Sequence, residues 1–113
     1  MLRVHEEQLR RLAMNDCERV IHPAVLTLDA RTRAMIEIAI LVAVDGPVSA
    51  FETTTSAAIA AGATEDELVE VLIAAAPTVG TAHVVAAAPK LALALGYDID
   101  AAFETLNPGL GSD

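Results

Sequence analysis

The residue with the most chemistry to explain is Glu37. It lies in Ala34-Met35-Ile36-Glu37-Ile38-Ala39-Ile40, where a carboxylate must be paired, protonated or turned to a polar cavity. As a pocket acid or base it would have a raised pKa and would be a functional-site candidate. The structural alternative is an ion pair with Arg33, four residues earlier on the same helical face, or with a neighbouring subunit. His83, ahead of Val84-Val85, is the second candidate, because an imidazole titrates near neutrality. A histidine beside an apolar stripe can equally donate to a backbone carbonyl. Glu52 with Thr53-Thr54-Thr55-Ser56 is the third. Those hydroxyls could hold a polar ligand or bond back to the preceding turn, and Glu52 reads as a solvated or interface charge. His22, before Pro23, belongs to a connector.

Other chemistries lack their residues. Cys17 is the one cysteine among 113 residues, which excludes an intrachain disulfide and fits a reducing compartment. No three His, Cys or carboxylate residues have metal-ligand spacing, and no Gly-rich phosphate loop exists. No metal and no other cofactor is expected. The net charge of −9, from 16 acidic and 7 basic residues, repels phosphate backbones. Arg3, Arg10 and Arg11 are diluted by Glu6, Glu7, Asp16 and Glu18, so nucleic acid is not an expected partner. The first residues lack a signal peptide's apolar stretch. The longest strongly apolar run, 34–44, contains Glu37 and falls short of the ~20 residues that span a bilayer. The expected location is cytoplasmic, with no membrane partner.

The elements that must position these residues read as helices. Leu9, Leu12, Ala13, Cys17 and Val20 recur at helical spacing, so about 3–19 is an amphipathic first helix with Cys17 on its core face. Asp29 can cap a second helix over 30–44, which Asp45-Gly46 stops. Its second half is apolar on every side, the pattern of a helix buried all round. Pro47 suits the first turn of a third helix running to about Ala61, with Gly62 as its left-handed terminus. Thr64-Glu65-Asp66-Glu67 is a capping box for a fourth, whose apolar stripe is Leu68, Val69, Leu72, Ile73 and Ala76. Pro77 and Gly80 interrupt its end. A fifth, about 81–95, contains Pro89, which predicts a kink or break. Asp98 or Asp100 could cap a last short helix before a frayed tail at 110–113. The class is all-α, a bundle of about five to six helices in one domain, 1–113, with its core over about 26–96. The hydrophobic fraction is 54% with only 3% aromatic. Such an excess of small apolar residues calls for a subunit interface, so a homo-oligomer is expected.

Two segments resemble the carboxymuconolactone decarboxylase and alkylhydroperoxidase D family. Leu28-Asp29-Ala30-Arg31-Thr32-Arg33 resembles the opening of its domain. Ala57 to Leu68, with Val69-Glu70-Val71-Leu72 and Gly80 after it, resembles its helix–Gly-Ala-Thr–helix junction. The resemblance covers roughly 26–88 and implies an all-helical fold, a homo-trimer or hexamer, and a site near subunit contacts. Redox members carry Cys-x-x-Cys at the start of the third helix and a histidine four residues on. Counted back from Gly62, those positions are Pro47, Ala50 and Thr54 here, and the relay carboxylate falls near Met35. Glu37 lies ~200° around the helix from that position. Thiol chemistry needs a low-pKa thiolate and a resolving thiol, and neither is available.

The resemblance and its departures imply a divergent, thiol-redox-inactive member, acting as a small-molecule-binding or accessory homo-oligomer. Its pocket would lie between the second, third and fifth helices, lined by Pro47, Ala50, Glu52 and Thr54, and would take a small, mostly apolar metabolite. One alternative is an enzyme with a rebuilt acid–base pocket using Glu37 or His83 for decarboxylation, isomerisation or lactone chemistry. Another is a structural partner of a catalytic paralogue.

Overall fold

The computed structural model describes residues 4–16 and 27–97. They form α1 (Val4–Ala13), α2 (Ala30–Val44), α3 (Val48–Ala60), α4 (Glu65–Val79) and α5 (Thr81–Ala94), with no strand among the described residues. The all-α class is as expected.

α1 is shorter than its periodicity predicts. Asn15 adopts φ 61°, and the Asp16 N–H reaches back to the Arg11 carbonyl at 2.8 Å. Asparagine tolerates this left-handed geometry better than most residues, and it closes the helix at Ala13. Glu6 and Glu7 in the first turn and Arg10 and Arg11 in the last suit the helix dipole. Glu7 accepts from Arg10 (2.6 Å) and Arg11 (2.9 Å), and these bonds, Arg10's first, hold its carboxyl down to about 2. Cys17, His22, Pro23, the expected short last helix and the tail lie outside the described residues.

The caps of the bundle follow the sequence closely. Asp29 accepts the Thr32 N–H at 2.7 Å. α2 ends on Asp45 at φ 55°, with the Gly46 N–H bonded to the Leu41 carbonyl at 2.9 Å. A Cβ on Gly46 would lie 2.7 Å from Leu41 Cδ2, so any larger residue there requires the Leu41 side chain to shift. Pro47 is the residue before α3 rather than its first helical position, because its backbone is extended at ψ 162°. Thr64 accepts the Glu67 N–H at 3.1 Å, and Glu67 accepts the Thr64 N–H at 2.9 Å, completing the capping box. The prolines do not break their helices. Pro77 sits in the last turn of α4, and α5 runs through Pro89. The carbonyl that Pro89 leaves without its helical donor belongs to Val85, an exposed residue that water can reach.

α2 packs against α3, α4 and α5, and α5 against α3 and α4. The core joins Ile38 and Val42 of α2, Phe51 and Ala58 of α3, Leu68 and Leu72 of α4, and Ala87 and Leu91 of α5. Within a single chain α2 is not buried all round, contrary to its composition. Ile36, Ile40 and Val44 remain 44%, 53% and 66% exposed. The fourth helix is likewise one-sided: Leu68 and Leu72 are buried, whereas Val69 and Ile73 are exposed. Glu37 on α2 and Glu70 on α4 are exposed among these outer apolar residues, but the apolar content of both faces hides the difference in composition.

The hydroxyl run divides. Thr53 donates to the Ser49 carbonyl at 3.1 Å, as back-bonding predicts. Thr55 is 1% exposed, and its Oγ1 has no hydrogen-bond partner. A buried hydroxyl without a partner is destabilising. The isosteric Thr55→Val should therefore raise stability by about 1 kcal/mol, read as a higher urea midpoint at unchanged slope. A lower midpoint would mean that the hydroxyl is bonded in solution.

Candidate functional site

Two open clefts frame the candidate residues. The larger, ≈ 340 Å³, runs between α2 and α4 and is almost wholly apolar. Thr32, Met35, Ile36 and Ala39 line one wall, and Val71, Ala74 and Ala75 the other. Alanines on both walls make the space, since their side chains end at Cβ. One end of the α2–α4 contact is tied by an ion pair between Arg31 and Glu67. Glu67 thus caps α4 with one carboxylate oxygen and holds α2 with the other.

Glu37 is exposed on α2, next in sequence to the groove residue Ile36. The expected pair with Arg33 is not formed, nor is any other bond to Glu37 among the described residues. Arg31, not Arg33, makes the ion pair from this turn. Between α2, α3 and α5, Ile38, Val42, Phe51, Ala87 and Leu91 belong to the core. Pro47 and Glu52 are exposed, while Ala50 and Thr54 are half-buried beside the inward-facing Phe51 and Thr55. The clefts described here are lined by other residues. Met35, near which the resemblance places the relay carboxylate of redox members, does line the α2–α4 groove.

The second cleft, ≈ 220 Å³, lies where the end of α2 meets the first turns of α5, lined by Asp45, Ala82, His83 and Ala86. His83 is exposed there, and its imidazole is not bonded to a backbone carbonyl among the described residues. Lys90 donates to Asp45 Oδ1 at 2.9 Å and to the Gly46 carbonyl at 2.8 Å. The Lys90 ammonium holds the Asp45 carboxyl below its ordinary range, and His83 adds a weaker pull in the same direction. The corner therefore gathers a carboxylate, an ammonium and an imidazole, enough to move a proton or orient a polar group. Sequence reasoning identified His83 but read Asp45 only as a helix stop. Lys90, the chain's one lysine, was the available signal, since a lone ammonium in an apolar helix calls for a partner. Glu37 is eight residues up α2 from Asp45, ~12 Å along its axis, and does not line this cleft.

Among the described residues no group of three His, Cys, Asp or Glu could hold a metal ion. No described helix is long and apolar enough to cross a membrane. The model of the carboxymuconolactone decarboxylase family matches residues 13–92, from the end of α1 to the last turn of α5. No curated protein and no solved structure gives a significant match.

The Asp45–Lys90 bond has a titration signature. Carbon-detected NMR of the folded chain should place the Asp45 carboxyl below 3.8, and Lys90→Met should return it toward that value. With the folded pKa depressed, the pair contributes its stability above the unfolded pKa and loses it as pH falls through the folded one. A midpoint at or above 3.8 in the unaltered chain would contradict the geometry.

Proposed function

The chain belongs to the carboxymuconolactone decarboxylase family, and on that premise we propose that it is a thiol-redox-inactive member: a cytoplasmic homo-oligomer that binds a small, mostly apolar molecule. The observation that carries this reading is the α2–α4 groove with the apolar stripe beside it. Ile36, Ala39, Ile40, Ala43 and Val44 repeat at i, i+3, i+4, i+7 and i+8 on α2, a face as regular as the one that builds the core. A ridge of Ile36, Ile40 and Val44 beside the small Ala39 and Ala43 suits helix-to-helix packing between subunits. A subunit seated there would cover the stripe and roof the open groove, giving an enclosed apolar pocket with Glu37 at its edge. Pro47, Ala50 and Thr54 supply neither thiol nor imidazole at the family's redox positions.

Light scattering should give three or six times the 11.8 kDa of one chain, and Ile40→Asp should reduce that mass while leaving helix content unchanged. An 11.8 kDa species for the unaltered chain would refute the oligomer. Peroxide should not be consumed through a thiol intermediate. Saturable consumption abolished by Cys17→Ser would refute redox inactivity.

The Asp45–His83 corner favours a second reading, an acid–base enzyme acting on a lactone, an enol or a similar metabolite. Under it, His83→Ala abolishes turnover of such a substrate while the fold persists, whereas Glu37→Gln, outside that cleft, has little effect. An unchanged rate in His83→Ala would dispose of this site.

A further inference from the structure

Among the described residues α1 is left without a surface to pack on in the single chain. It has no substantial packing contact with the other four helices, and Leu9 and Leu12 on its apolar face are 64% and 48% exposed. A ten-residue helix is marginal in water unless an amphipathic face is packed. It also falls almost entirely before the residues matched by the family model, 13–92.

The bundle has a groove suited to it. Between α4 and α5 lies an apolar cleft of ≈ 200 Å³, with Val69 and Leu72 facing Ala88, Ala92 and Leu95, and Tyr97 at one end. Ala88 and Ala92, one turn apart, leave a trough for side chains the size of leucine. The Tyr97 hydroxyl bonds Glu65, so that end meets the first turn of α4, where Glu65, Asp66 and Glu67 stand together. Arg10 and Arg11 occupy the last turn of α1 and Glu6 and Glu7 its first. Although both arginines are bonded to Glu7 within α1, charge favours the orientation with the basic end of α1 at the Tyr97–Glu65 end and antiparallel to α4. Helix dipoles agree with it, since the negative end of α1 meets the positive start of α4.

We propose that α1 of one chain docks in the α4–α5 groove of a second copy, with Leu9 and Leu12 over Ala88 and Ala92 and Arg10 toward Glu65. The proposal rests on the homo-oligomer reading but uses a surface separate from the α2 stripe. Residues 14–29, between α1 and α2, can span at most ~55 Å. That exceeds twice the ~22 Å length of a bundle helix, which is ample reach to a neighbouring subunit.

Mixed cross-linking of full-length chains tests it, with Cys17→Ser in every chain. One chain carries Leu12→Cys and the other Ala92→Cys. Mild oxidation of the mixture should give a disulfide-linked heterodimer, lost on adding Leu9→Asp to the first chain and several-fold weaker with Arg10→Glu. Circular dichroism of each variant checks that the bundle stays folded. No heterodimer from folded chains overturns the proposal. So does a bond that forms only within one chain carrying both cysteines, because α1 would then dock in cis. Light scattering of the unaltered chain separates the two failures: an oligomer that gives no cross-link leaves the α2 interface standing, whereas a monomer removes both.

Discussion

Ile38 and Val42 of α2 are fully buried, and α3, α4 and α5 each pack on the helix that carries them. Phe51 is the one aromatic side chain in that core; alanines fill much of the rest. Small contacts let helices approach closely but contribute little burial each, so the few large residues carry disproportionate weight. Truncating any of them would open a cavity that alanine neighbours cannot refill. The Arg31–Glu67 pair adds a polar tie at one end of this packing, and Lys90 adds another at the opposite end of α2. These surface-accessible pairs set register more than they add stability.

The same helix explains why the molecule reads as unfinished in isolation. An amphipathic helix ordinarily turns charge outward, but α2 turns Ile36, Ile40 and Val44 outward instead. Its two apolar faces make different demands. The inner one is met within the chain, and the outer one, on the proposed reading, by a subunit. On the same proposed reading, Pro47 and Ala50 stand where the family's redox members carry thiols and Thr54 where they carry a histidine. The apolar groove with Met35 on its wall lies open beside the outer face of α2.

Most of the fold was legible because its boundaries are written in local chemistry. Asp29, Asp45-Gly46, Gly62 and the Thr64–Glu67 box each satisfy backbone groups within a few residues, so sequence alone places them. The prolines misled because Pro77 falls in a last turn and Pro89 near an exposed carbonyl, both tolerable positions. Tertiary placement was less legible. Apolar neighbours imply that Glu37 is paired, protonated or turned to a polar cavity, yet Ile36 and Ile40 among those neighbours face solvent in the single chain. Asp45 and Lys90 are far apart in sequence, and their bond exists only because α5 runs back along α2. The α4–α5 groove was invisible for the same reason, since no periodicity records how far two alanine-bearing helices stand apart.

The chain contains one tyrosine and no tryptophan, and that tyrosine, Tyr97, bridges the end of α5 to the start of α4 through Glu65. The carboxylate accepting from its hydroxyl, with burial behind it, pushes the phenol's ionisation above the ordinary 10.0. Excited at wavelengths where its two phenylalanines do not absorb, the protein therefore emits from a single helix junction. Emission reports the state of that junction alone, and separation of α4 from α5 gives an optical signal even while α2 and α3 remain packed.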